Sequence, residues 1–152
     1  MSTIKVDTYL TRGGASEIAI DKLKGASSAG SMTVVGEGGS TTTNLQQGLC
    51  KAWVNFTGVT TTAARDSVNI SGLTDVATAK TTVAYTNNMG NTNYTGSYFQ
   101  SGSTEQLITS FNNHYTGAFA ARTTGSCGVH SYIGTGAGDV ADNDVLIFGD
   151  LA

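Results

Sequence analysis

Short apolar runs that alternate with period two, each closed by turn residues that are never proline, constrain this chain more than any other feature. AWVNF (52–56), DSVNISGL (66–73), KTTVAYT (80–86), YTGSYFQ (94–100), HYTGAFAART (114–123), GVHSYIG (128–134) and DVLIFGDL (144–151) all have strand length. Val68 and Ile70 with Leu73 beyond them, Val83 and Tyr85, and Phe119 and Ala121 recur on one side of an extended chain. GLTD, TNNMGNTN, SGSTE and GTGAGD separate the runs. With 20 glycines and no proline, each turn must use Gly, Asn, Asp or Ser chemistry. Strands at this spacing predict a mainly β protein: an antiparallel β-sandwich, jelly-roll-like, rather than an α/β layout.

One stretch breaks the pattern. LQQGLCKAWVNFTG (45–58) contains the sole tryptophan, Trp53, and changes period partway. Leu45 and Leu49 lie four apart, the spacing of one helical face, and Asn44 can cap the helix. A turn or two ending near Lys51 is the only helix expected. Residues 44–152 then form the β-domain, with Trp53, Phe56, Val68, Ile70, Val83, Phe119, Ile147 and Phe148 expected in the layer between two sheets. Ahead of it, 26–43 reads as a Gly/Ser/Thr-rich linker carrying one apolar knot at Met32, Val34 and Val35. Residues 1–25 read as an arm: Ile4 and Val6 alternate with Lys5 and Asp7, and Ile18 and Ile20 follow a Gly13-Gly14 turn. Ile4, Val6, Ile18, Ile20, Val34, Val35, Leu45 and Leu49 exceed what the domain can bury and are expected to anchor the chain to partners.

Composition removes several function classes. Charged residues are 12% of the chain against 39% hydrophobic, and the net charge of −3 gives no footprint for nucleic acid. No basic amphipathic helix or long apolar run suggests membrane insertion. The opening MSTIKVDTYL lacks the layout of a secretion signal, so synthesis in a cytoplasm is expected. Cys50 and Cys127 read first as reduced, buried thiols, with a disulfide between them left open if their two strands pair. Cys127 and His130 have C-x-x-H spacing, yet zinc needs four ligands and no second pair follows. Asp139, Asp142 and Asp144 are close together, but their spacing is not that of a calcium loop. There is no G-x-S-x-G or H-E-x-x-H run, and GTGAGD lacks the spacing of a phosphate loop. No enzyme activity, cofactor or metal is expected.

A resemblance accompanies this reading. The runs GLCKAWVNFTG, ARDSVNISGLTD and TTVAYTNNMGNTNYT resemble a domain of tail-fibre and appendage proteins of bacteriophages, notably phages of marine bacteria. The matching positions are Gly48, Leu49, Lys51 to Phe56, Arg65 to Ser71, Thr82, Val83, Tyr85, Thr86, Asn93 and Tyr94. The opening MSTIKVDTYLTR resembles the attachment segment of such proteins. This chain departs from the family in lacking its proline after the T-V-x-(Y/F)-T strand and in having a short linker instead of a shaft. The resemblance implies a virion structural protein, a short tail-fibre or appendage subunit that docks by its arm, with other virion proteins as partners. It also implies a homotrimer; Val34, Val35 and the leucine positions, lying outside the sandwich, argue for an oligomer more firmly than for three copies, since a dimer could bury the leucine face too. A capsid decoration protein fits the short linker equally. From another class, a carbohydrate-binding module that reads a host surface glycan would use Tyr94, Tyr98, Tyr115 and Tyr132 as stacking residues.

Overall fold

The structure is a computed structural model that describes residues 21–25, 27–28, 31–101, 107–111, 122–133 and 136–152; for 107–111 it describes the backbone alone. The described chain opens on a hairpin of β1 (Thr33–Val35) and β2 (Thr42–Asn44) and then makes one helical turn, α1 (Leu45–Gly48). Asn44 caps that turn: its side-chain oxygen accepts from the Gln47 amide at 3.0 Å, satisfying a donor the helix leaves orphaned.

The strands that follow form two antiparallel sheets. One has the order β4 (Ala63–Val68), β3 (Cys50–Thr57), β11 (Asp142–Phe148), β7 (Thr95–Ser101). The other joins β5 (Ile70–Ala77), β6 (Lys80–Tyr85) and β9 (Ser126–Ile133), with β8 (Leu107–Phe111) and the short β10 (Gly136–Ala137) also on β9. Among the described residues the fold is therefore mainly β with one short helix, as the strand spacing predicts.

The core lies between the sheets and follows from alternation. Ala52, Val54 and Phe56 of β3, Val145 and Ile147 of β11 and Tyr98 of β7 face Val83 and Tyr85 of β6 and Cys127 and Val129 of β9. Met89 and Tyr94, from the loop between β6 and β7, close one end, and Ile70 and Leu73 pack against the cluster from β5. Gly149 allows this closure, because a Cβ there would sit 2.7 Å from Cβ of Tyr94. Asn143 is buried among apolar neighbours with its polar atoms satisfied. Its oxygen accepts from the Tyr98 hydroxyl, and its amide donates to the carbonyls of Val140 at 2.8 Å and Phe56 at 3.3 Å.

Three sequence expectations need correction. DSVNISGL is two strands, not one. Asn69, at φ 59°, turns the chain from the first sheet into the second, and GLTD lies inside β5 instead of forming a turn. Asn is among the few residues that adopt a left-handed backbone readily. Its side chain fixes the corner by donating to the carbonyls of Lys51 and Asn87, both at 3.1 Å, and accepting from the Asn87 amide at 2.7 Å. The stretch read as linker contains the β1–β2 hairpin, with Val34 and Val35 exposed on it. Leu45 and Leu49 do not share a helical face, because the helix ends at Gly48 and Leu49 is extended and exposed. Of the expected core, Phe56, Val83 and Ile147 are fully buried and Ile70 is half-buried. Phe119, Tyr115 and the arm positions Ile4, Val6, Ile18 and Ile20 lie outside the described residues.

Candidate functional site

The same alternation that fills the core sets the outer face of the β4-β3-β11-β7 sheet. With Ala52, Val54 and Phe56 inward, Trp53 and Asn55 face out, and with Val145 and Ile147 inward, so do Asp144, Leu146 and Phe148. Register then assembles rows. Val68 stands opposite Trp53, Trp53 opposite Leu146, and Leu146 opposite Ser97. The next row runs Asp66, Asn55, Asp144, Phe99. Phe148 lies beyond the apolar row, opposite Cys50 and Thr95.

Trp53, Val68 and Phe148 were expected between the sheets and are not there. Trp53 and Phe148 are half-buried, and Val68 is 48% and Phe99 57% exposed. The reason is that AWVNF and DVLIF are apolar on both parities, so composition alone could not say which parity meets the second sheet. Leu146 was missed for the same reason, and so was Phe99, because Tyr98 and Phe99 likewise occupy both parities of YTGSYFQ.

Polar groups beside the apolar row are largely tied to one another. Arg65 pairs with Asp142 at 2.6 Å and donates to Asn55 at 3.2 Å, and the Asn55 amide donates to Asp144 at 2.8 Å. Asp139, the third acid of that turn, accepts from the Ala79 amide at 2.6 Å and steadies a tight turn in which Ala79 has φ 66°. The three acids thus perform three separate tasks and do not converge on one point. Among the described residues, no group of three His, Cys, Asp or Glu side chains is placed to hold a metal.

The remaining candidates fall elsewhere. Tyr94 is in the core, where its hydroxyl donates to the carbonyls of Ser126 at 2.8 Å and Thr123 at 3.0 Å, and its ring meets Tyr85 edge-on at 5.8 Å. Tyr98 is buried, and burial pushes its phenol up to about 12. Neither can stack a sugar, which corrects the glycan reading at those positions; Tyr132 is half-buried against His130 with ring centroids 4.4 Å apart. Both cysteines are free thiols. Burial pushes Cys127 up to about 11, and Cys50 is half-buried at the start of β3. Three positions apart on one strand, Cys127 and His130 project from opposite faces of the sheet. His130 is 3% exposed, and neither ring nitrogen has a hydrogen-bond partner among the described residues. Burial first, then Lys80 opposite it in register, hold its pKa below the ordinary 6.5.

At the α1 end of the sandwich lies an open polar depression of about 560 Å³, lined by Asn44, Gln46, Gln47, Lys51 and the 150–152 segment. A smaller one of about 340 Å³ adjoins it at Gln47 and Asp150, with Asn91, Asn93, Thr95 and Phe148 in its wall. Comparison with family models, curated proteins and solved structures returned no match to this chain.

Proposed function

We propose that this protein is a structural subunit of a bacteriophage particle, most simply a short tail-fibre or appendage subunit. The observation that carries the proposal is the outward apolar row of Val68, Trp53 and Leu146 on a sheet whose other face already supplies the core. A single domain needs only one apolar face per sheet, and a second one on the outside marks a contact surface. The resemblance supports the same reading, because one of its matching runs, Lys51 to Phe56, lies in the strand that serves both faces. The hairpin with Val34 and Val35 exposed gives the arm side a further apolar surface for partners.

Immunogold electron microscopy of purified particles, with antibody raised against the domain, tests the proposal. Gold on tails is the expected result; gold on heads would assign the chain to capsid decoration; particles free of the protein by labelling and by mass spectrometry would overturn a virion role. A glycan-reading role has one structural feature in its favour, the amide-lined depressions beside Phe148, where Gln46, Gln47, Asn91 and Asn93 could bond hydroxyls. A glycan array separates that role from scaffolding, and loss of binding in Asn91→Ala and Asn93→Ala variants would locate it.

A further inference from the structure

We infer that the outer face of the β4-β3-β11-β7 sheet pairs with the same face of a second copy of this chain about a two-fold axis. Charge complementarity identifies the occupant. The apolar row of Trp53 and Leu146 crosses the middle of the face. Two residues along from it toward one end, Asp144 accepts only an amide bond, from Asn55 at 2.8 Å, and the sole ion pair among the described residues, Arg65–Asp142, leaves it without a cation. Two residues along β3 toward the other end stands Lys51, whose ammonium donates to the Leu49 carbonyl at 2.8 Å and meets no carboxylate within ion-pair distance among the described residues. Asp150 lines the same depression as Lys51 but forms no ion pair with it.

An axis parallel to the sheet, lying midway between the two faces and crossing the line from Lys51 to Asp144 at right angles above the Trp53–Leu146 pair, brings these features onto their complements. It crosses β3 of one copy over β3 of the other and β11 over β11, so that Trp53 meets Trp53, Leu146 meets Leu146 and each Lys51 meets an Asp144. Stacked sheets sit about 10 Å apart, within reach of an extended lysine. Such an interface is isologous: one charge contact appears twice, and like charges do not meet at it. The acid–amide and Arg65–Asp142 bonds already satisfy the polar rim, so covering it strands few groups. This seam is distinct from the arm-side one of Val34, Val35 and Leu49, and it is independent of whether the protein belongs to a particle.

Light scattering on the full chain at micromolar concentration tests the pairing, with a mass of twice 15.6 kDa expected. Lys51→Glu and Asp144→Lys should each weaken association by about tenfold or more, because each turns both symmetric contacts repulsive. Mixing the two variants should restore it, since the heterodimer regains two opposite-charge contacts. Trp53 is the only tryptophan, so its emission should shift to the red as wild-type protein is diluted through dissociation, a readout that needs no variant. A monomeric or trimeric wild-type mass, a mixture of folded variants that stays monomeric, or emission unchanged through dissociation would each overturn the two-fold pairing.

Discussion

Trp53 and Phe56 sit three residues apart on one strand and have opposite jobs. Phe56 is 1% exposed in the core, so Phe56→Ala should cost about 3–5 kcal/mol in urea unfolding. Trp53 has one side against the sheet and one side free, so Trp53→Ala should cost only about 1–2 kcal/mol in the dissociated protein, the range for half of a large side chain's burial. His130 gives a pH prediction. Its pKa is lowered in the fold, so as pH falls the unfolded chain takes up the proton first. Above about pH 7 its titration has no effect on stability; below the ordinary 6.5 stability falls until the folded pKa is reached. His130→Phe should therefore flatten the fall in stability below about pH 7 and leave neutral stability equal or higher, because two buried nitrogens lose no partner. The two thiols should separate as well: with Cys127 buried and its pKa raised, an alkylating reagent should modify Cys50 first and reach Cys127 only as the protein unfolds.

At the scale of elements, the strands most legible in sequence were those that read as short apolar or aromatic runs between turn residues, β3, β6, β7, β9 and β11, along with the capped turn α1. β8 escaped because LITSF is short and half hydroxyl, and β4 because its burial pattern is almost wholly exposed. The sheet change at Asn69 was hidden for a different reason. A period-two pattern continues through it, with Val68 outward in one sheet and Ile70 inward in the other, so the apolar spacing carries no mark of the corner. Which parity of β3 faces inward was likewise invisible, since that choice belongs to the opposing sheet. The corner yields a paired prediction. Asn69→Gly keeps the left-handed backbone but loses the side-chain bonds, whereas Asn69→Ala loses both, so in thermal melts Ala should be the worse by about 1–2 kcal/mol.

For the whole molecule, the described core draws only on residues 52–147, and no residue of the β1–β2 hairpin contributes to it. A two-stranded hairpin is marginal by itself in water, so this one acts as a handle on the sandwich and not as a support for it. Removing residues 1–43 should shift the melting temperature by no more than about 4 °C, the equivalent of roughly 1 kcal/mol for a domain of this size; under the proposed virion role, it should also abolish incorporation into particles in a complementation assay.

The two-sided use of β3 also has a hereditary consequence. Substitutions at Ala52, Val54 and Phe56 should act mainly through the amount of protein a cell accumulates, whereas those at Trp53 and Asn55 should lower abundance less and act mainly through what the folded product joins. A saturation library scored separately for abundance and for self-association per folded molecule should therefore show tolerance alternating residue by residue along this strand, the two scores in opposite phase. A lineage could then change the company the protein keeps through odd-numbered positions alone.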